Sequence, residues 1–190
     1  GLQVLGGYGY CSDFVLQQHL RDIRIMAIYE GTTGIQSLDL LGRKVMMKEG
    51  KALELLVEEM REAIGAAATY DDLKPYAQQL GAYLKEAKSI IDFLVPFAMK
   101  GQFERFLSDA TLFMEYMGTL VIAWQWLKMG TAARQALLTG NTPYGADFYE
   151  SKIHCMKFFF KYELLKISGL AKIITHPEAL TLLKEKDVIA

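Results

Sequence analysis

The sequence predicts an all-α protein, organised as a helical bundle. Apolar residues recur every three or four positions over long stretches, and the alternation of apolar and polar residues that strands require is nearly absent. Glycine, proline and short polar runs interrupt this spacing where helices would end. Because long amphipathic helices must cover their apolar faces, antiparallel packing into a bundle is the simplest arrangement.

The composition is that of a globular protein. The chain has 190 residues, a net charge of −1 and 52% hydrophobic residues, and no basic stripe interleaved with aromatic residues indicates a nucleic-acid partner. Cys11 and Cys155 lie far apart, which favours a reducing compartment over a disulfide framework. The histidines lack partners at ligand spacing, so no metal site is predicted. Because the chain begins at Gly1 without a targeting pattern, we expect a piece of a longer polypeptide.

The first part of the sequence contains glycine loops and short helices. The opening GLQVLGGYGYCSD is typical of a helix end that runs into a loop. Ser12 and Asp13 offer capping oxygens for a helix that extends to about Ile28. A loop follows over residues 29–34, and Thr32 or Thr33 is suited to cap the next helix, which continues to Val45.

Four longer helical segments are predicted after this region. Apolar spacing indicates helices over about 53–67 and 73–94, the second ending at Pro96, and a third from about 103 to 127 or 138. The run TGNTPYG then breaks the chain before a last helix. The apolar stripe of that helix is predicted to comprise Phe148, Cys155, Phe158, Tyr162, Leu165 and Gly169.

Residues 110–127 form the most apolar segment and approach the length of a membrane span. Glu115 and Gln125 lie within it, and Arg105, Asp109 and Lys128 flank it. A helix that is apolar on all sides in a soluble core has the same composition, and we favour that interpretation over a membrane span.

Glu30 is the candidate catalytic residue. It follows an apolar helix and precedes Gly31, which would let a ligand approach the backbone closely. The next helix begins directly afterwards, and its N-terminal amides attract anionic or carbonyl oxygens. A base beside such a backbone suits removal of a proton next to a carbonyl group. The same pattern also fits an exposed glutamate near a helix start, and the residues alone leave both interpretations open.

Three motifs resemble one enzyme family when they are taken together. QVLGGYGY at residues 3–10, RDIRI at 21–25 and IYEGTTGIQ at 28–36 look, in this order and spacing, like the C-terminal end of the FAD-dependent acyl-CoA dehydrogenases. The remainder resembles, less specifically, the additional C-terminal helical domain of one bacterial subgroup. FYESKIHCMKFFFKYELLKISGLAKII is its most suggestive stretch.

The resemblance implies roles for seven residues. Glu30 would remove the α-proton of an acyl-CoA thioester while hydride passes from the β-carbon to FAD, and its backbone amide would bind the thioester carbonyl. Gly31 would border the substrate. FAD would be contacted by five residues: Gln3, Gly6, Gly7, Thr32 and Thr33. The chain departs from the family pattern at Gly34, where a longer polar residue often contacts FAD, so any contact there would be through the backbone.

The resemblance also implies an organisation and partners. Residues 1–43 would be the end of the catalytic helical domain, and residues 44–190 an additional antiparallel bundle. The parent would be a bacterial cytoplasmic homo-oligomer, a dimer or tetramer, that passes electrons to an electron-transfer flavoprotein, and the 190 residues alone would be inactive. The alternatives are an acyl-CoA oxidase and a module for assembly or membrane docking through residues 110–127.

Overall fold

The structure, a computed structural model, describes residues 1–182 and is helical throughout its regular elements. The all-α prediction is therefore confirmed, since these residues contain no strand. The chain divides into two compact units, of which the first is Gly1–Ser37 and the second begins at Leu38.

The first unit contains short helices separated by turns. Its elements are α1 (Leu2–Leu5), α2 (Gly7–Tyr10), α3 (Leu16–Arg24) with a 3₁₀ turn at Ile25–Ala27, and the start of α4 (Thr33–Asp39). The start of α4 agrees with the prediction from Thr32 and Thr33. The predicted cap at Ser12 and Asp13 is wrong, because α3 begins later, after Val15, whose backbone is already helical and whose side chain makes no capping bond.

The second unit is built from long helices. A π-helical turn, Leu40–Lys44, continues α4, and the later helices are α5 (Lys51–Ala68), α6 (Lys74–Met99), α7 (Phe103–Leu107), α8 (Ala110–Thr139), α9 (Ala146–Phe158) and α10 (Ile167–Ile174). A π-helical turn, Phe159–Glu163, and a 3₁₀ turn, Leu164–Lys166, join α9 to α10.

Two helix ends differ from the sequence prediction. Helix α6 passes through Pro96 and ends at Met99. Pro96 and Asp92 are both exposed, so water can reach the carbonyl that loses its intrahelical donor. The predicted helix from residue 103 is divided at Asp109 into α7 and α8.

Helix α8 supplies the centre of the second unit and packs against α5, α6, α9 and α10. Within the described residues, Phe103–Thr139 is the one helical stretch long and apolar enough to cross a membrane by length and composition alone. Its packing agrees with the interpretation of a core helix. The buried residues of α8 are Ala110, Phe113, Tyr116, Met117, Leu120, Ala123, Leu127, Gly130 and Ala133.

The last helical segment buries a different stripe from the one predicted. Phe158, Tyr162 and Leu165 are exposed by 50%, 62% and 53%. Both stripes repeat at intervals of three and four residues, so spacing alone could not tell which one faces the core. The buried stripe comprises Ile153, Met156, Phe160, Leu164, Ile167, Ala171 and Ile174.

Helices α8 and α9 pack tightly against each other at Gly130. A Cβ atom at Gly130 would overlap with Sδ of Met156, whose side chain is fully buried. We expect Gly130→Ala to lower the free energy of unfolding by about 1–3 kcal/mol, because the core is already full at this contact. Chemical denaturation followed by circular dichroism measures the change.

Gly118 provides the matched control in the same helix. No atom lies within 4 Å of a Cβ built at this exposed position. We expect Gly118→Ala to raise the free energy of unfolding by about 0.5–1 kcal/mol, because alanine favours the helix without a steric cost. Equal effects of the two substitutions would contradict the close contact between α8 and α9.

Tyr116 makes the polar connection between α8 and α6. Its fully buried hydroxyl lies 2.9 Å from the carbonyl oxygen of Tyr83 and 2.9 Å from Oε2 of Glu86. The Tyr83 hydroxyl in turn accepts a hydrogen bond from Ser168 at 3.1 Å, which brings α10 into the same network. Burial, together with the nearby Glu86 carboxylate, raises the pKa of Tyr116 well above its ordinary value.

We expect Tyr116→Phe to destabilise the bundle by about 1–3 kcal/mol at neutral pH, because the buried hydroxyl whose one proton is shared by the Tyr83 carbonyl and the Glu86 carboxylate is lost. Since the unfolded tyrosine ionises near pH 10.0 and the folded one does not, Tyr116 also makes the wild type lose stability above that pH. The variant should therefore lose less stability between about pH 10 and 11. If the unfolding free energies of wild type and variant fell by the same amount between about pH 10 and 11, this role of Tyr116 would be contradicted.

Candidate functional site

Glu30 lies in a turn with an unusual backbone conformation, between the 3₁₀ turn at Ile25–Ala27 and helix α4. Its φ angle is +56°, and Gly31 follows at +104°, so two consecutive residues are left-handed. A glutamate in this region is strained, and such strain is concentrated at functional sites. The Glu30 side chain is exposed. Any group that shields the Glu30 carboxylate from water must therefore come from outside the described residues.

Gln36 closes this turn. Its Nε2 atom, on α4, donates a hydrogen bond to the backbone oxygen of Glu30. A Cβ atom at Gly31 would lie 3.1 Å from Cγ2 of Ile35 and 3.4 Å from Nε2 of Gln36. Position 31 therefore favours glycine for its backbone angle, and a Cβ there would also require the Ile35 side chain to shift. The sequence prediction included Gly31 but missed Gln36, whose position six residues after Glu30 gave no separate signal.

Thr32 and Thr33 lie at the start of α4, directly after this turn. The amide of Gln36 donates to the carbonyl oxygen of Thr32 at 2.9 Å, which forms the first helical hydrogen bond. Both threonine side chains are exposed. The structure thus places four predicted site residues, Glu30 to Thr33, on one continuous segment, in which Gly31 is half-buried and the other three are exposed.

The predicted cofactor loop lies at the junction of α1 and α2. Gly6 has φ +58° and ψ −137°, a conformation open to glycine, and it separates the two helices. No atom lies within 4 Å of a Cβ built at Gly6 or Gly7, and Gln3 is exposed. The backbone of this loop is therefore accessible to a ligand.

Gly9 is the glycine of this loop that packing requires, and the sequence prediction missed it. A Cβ atom there would lie 2.7 Å from the Leu2 carbonyl oxygen and 3.0 Å from the Leu2 Cα atom. Since both neighbours are backbone atoms, even alanine would force α1 and α2 apart. A spatial contact of this kind leaves no sign in the local sequence pattern.

The described residues contain no group of three or more histidine, cysteine, aspartate or glutamate side chains that could hold a metal ion. Cys11 and Cys155 are both free and exposed. The first unit offers the Glu30 carboxylate, the strained turn around it and accessible glycine backbone. A carboxylate next to open backbone amides can accept a proton from a carbon acid whose carbonyl oxygen the amides bind.

Comparison with known proteins matches both parts of the chain to one enzyme class. Residues 1–46 match the family described as "Acyl-CoA dehydrogenase, C-terminal domain", and residues 56–183 match "Acetyl-CoA dehydrogenase C-terminal like". The two matches define a chain built from C-terminal helical regions of one enzyme class. Because the second match covers more than half of the chain, the protein belongs to the acyl-CoA dehydrogenase family.

Three relatives illustrate the similarity. The broad-specificity linear acyl-CoA dehydrogenase FadE5 of Mycobacterium tuberculosis is 29% identical over 91% of this chain and 29% of its own length. The 3-methylmercaptopropionyl-CoA dehydrogenase of Ruegeria pomeroyi is 32% identical over 92% of this chain and 29% of its own. The human mitochondrial short-chain specific acyl-CoA dehydrogenase is 49% identical over 22% of this chain and 10% of its own. The chain thus spans less than a third of the length of the first two relatives.

Removal of the Gln36 amide should loosen the Glu30 turn. We expect Gln36→Ala to speed hydrogen exchange of the amides of residues 29–34 about fivefold, because the lost hydrogen bond contributes about 1 kcal/mol. Peptide-resolved exchange mass spectrometry measures the rates. Gln18→Ala, at an exposed position of α3, serves as the control and should leave these rates unchanged. Unchanged rates in Gln36→Ala itself would show that the turn does not depend on this bond.

Proposed function

We propose that the whole protein catalyses α,β-dehydrogenation of acyl-CoA thioesters with FAD as hydride acceptor, and that Glu30 is the base. The observation that carries this proposal is the left-handed turn at Glu30 and Gly31, within a Tyr-Glu-Gly-Thr sequence, in a chain of the acyl-CoA dehydrogenase family. A strained, exposed carboxylate between open backbone groups suits proton removal next to a carbonyl.

Glu30 would act through two of its groups. Its carboxylate would take the proton from the α-carbon of the thioester, and its backbone amide would donate a hydrogen bond to the thioester carbonyl oxygen as negative charge develops there. Gly31 would border the substrate, since its backbone angle, φ +104°, favours a residue without a side chain. Gln36 would hold the turn through the Glu30 backbone oxygen and leave the carboxylate free for the reaction.

The residues of the first unit also fit FAD, which would accept the hydride from the β-carbon. The backbone at Gly6 and Gly7 is unobstructed, and Gln3 offers an exposed side-chain donor, as binding of a pyrophosphate or adenosine group requires. Thr32 and Thr33 present exposed hydroxyl groups beside the Glu30 turn. We infer that these five residues contribute to the FAD site, with the Gln3 loop serving the cofactor of a neighbouring subunit.

The exposed apolar residues of the first unit support the inference that its site is completed elsewhere. Val4, Tyr8 and Tyr10 are exposed by 88%, 72% and 82%, and Ile23 and Met26 by 65% and 64%. Such residues need covering in a stable enzyme. We infer that they pack against parts of the whole protein outside the 190 residues, and that the 190 residues alone are inactive.

The proposed organisation keeps residues 1–43 as the end of the catalytic helical domain and residues 44–190 as the additional bundle. The two family matches support it, because one ends at residue 46 and the other begins at residue 56. We further propose a homo-oligomer, dimer or tetramer, in the bacterial cytoplasm. The oxidising partner would be an electron-transfer flavoprotein, and the names of the relatives as dehydrogenases support this over an oxidase.

Substitution of Glu30 by glutamine in the full-length protein tests the proposal. Glutamine keeps the shape of the side chain and removes the base. We expect wild type to lose its oxidised flavin absorbance under anaerobic conditions with at least one of a panel of acyl-CoA thioesters. The Glu30→Gln variant should bind FAD and acyl-CoA but reduce the flavin about 10²–10⁴-fold more slowly.

Glu49→Gln is the matched control, because Glu49 is also an exposed glutamate at positive φ, +59°. It should reduce flavin at the wild-type rate. Equally fast reduction by Glu30→Gln and wild type would assign the base to another residue. A full-length protein that binds no flavin would overturn the dehydrogenase proposal and favour a role in assembly. If oxygen reoxidised the reduced flavin as fast as an electron-transfer flavoprotein does, the result would favour an oxidase.

A further inference from the structure

The outer face of α9, α10 and the turns between them carries an exposed apolar row. We call it the outer seam, and define it as Cys155, Phe158, Tyr162, Leu165 and Gly169. Every one of these residues is exposed, and Phe158 and Tyr162 stack on each other with ring centroids 4.7 Å apart. The opposite face of the same segment already fills the core through Met156, Phe160 and Leu164. The segment is therefore apolar on two sides, and only one of them is covered.

The spacing of the outer seam suits a partner helix. Its members follow one another at intervals of three, four, three and four residues, which is the alternation that places side chains along one helix-helix contact line. Gly169 leaves room for a close backbone approach at one end. The large side chains at Phe158, Tyr162 and Leu165 supply the apolar area in the middle. A single helix laid along this line would cover the row.

The charges beside the outer seam restrict what the partner helix can be. Lys161 and Lys166 are exposed on the two sides of Tyr162 and Leu165, and Lys172 is exposed beyond Gly169. Lys166 pairs with Glu163 at 2.6 Å, which leaves Lys161 and Lys172 to set the charge of this face. A second copy of the seam would place like charges opposite each other, which is unfavourable. A helix with acidic residues beside its apolar row would be complementary.

We propose that the outer seam binds a helix of the same, longer polypeptide, from a part outside these 190 residues, with Asp or Glu beside its apolar row. The chain spans 29% of the length of each of the first two relatives, so most of such a polypeptide is available to supply this helix. The outer seam then joins the bundle to the rest of the enzyme. This role does not depend on Glu30 or on the reaction that the enzyme catalyses.

Alkylation of Cys155 reports directly on the seam, because its exposed thiol is one of the seam residues. Trypsin releases it in the five-residue peptide 153–157, so mass spectrometry measures its modification separately from other cysteines. We expect iodoacetamide to alkylate Cys155 at least about tenfold more slowly in the folded full-length protein than in the 190-residue chain. The protection should be independent of protein concentration.

Variants of the full-length protein test where the helix lies. Leu165→Glu and Lys161→Glu should each restore rapid alkylation, the first by placing a charge in the apolar row and the second by placing like charges together. Leu55→Glu is the matched control, because Leu55 on α5 is 52% exposed and Leu165 is 53% exposed. It should leave Cys155 protected. Circular dichroism melts verify that each variant remains folded.

Four outcomes would overturn the proposal. The first is equal alkylation in the full-length protein and the 190-residue chain. The second is protection that disappears on dilution together with an oligomer, which would assign the seam to a second copy. The third is protection that appears only with vesicles of anionic phospholipid, which would assign it to a membrane surface. The fourth is recovery of alkylation by Leu55→Glu to the same extent as by Leu165→Glu.

Discussion

The second unit depends on the burial of α8. This 30-residue helix carries apolar residues around most of its circumference, so it is stable in water only when other helices cover it. Helices α5, α6, α9 and α10 supply that cover, and each turns a set of buried residues inward. The absence of a side chain at Gly130 lets α9 approach, while the buried hydroxyl of Tyr116 finds its hydrogen-bond acceptors on α6.

The first unit, in contrast, does not bury its apolar side chains in a core of its own. Its helices are short, and its apolar side chains, such as Val4, Tyr8 and Ile23, are largely exposed. What its sequence specifies is backbone geometry: a left-handed glycine at Gly6, and the left-handed pair Glu30 and Gly31 held by Gln36. The unit therefore has turns of defined conformation but no buried core of its own. Such a unit is suited to form one part of a binding site that other parts of the enzyme complete.

Local spacing predicted the helices of the bundle well, because three-and-four periodicity and turn residues are properties of adjacent sequence. Local spacing could not predict features that depend on contacts between residues that are not neighbours in the sequence. The last helical segment has two apolar rows of equal period, and contacts with α8 and α6 select the row of Met156 and Phe160 over that of Phe158 and Tyr162. Gln36 and Gly9 were missed for the same reason. The family motif led to Glu30, but its strained backbone could be seen only in three dimensions.

The most direct measurement is a crystal structure of the full-length protein with FAD and an acyl-CoA analogue that cannot be oxidised. We expect a Glu30 carboxylate oxygen about 3–3.5 Å from the carbon that corresponds to the substrate α-carbon, with the backbone of residues 30 and 31 still left-handed. Gln36 should still donate to the Glu30 backbone oxygen. A Glu30 side chain directed to solvent, with another carboxylate beside the α-carbon, would show that Glu30 is not the base.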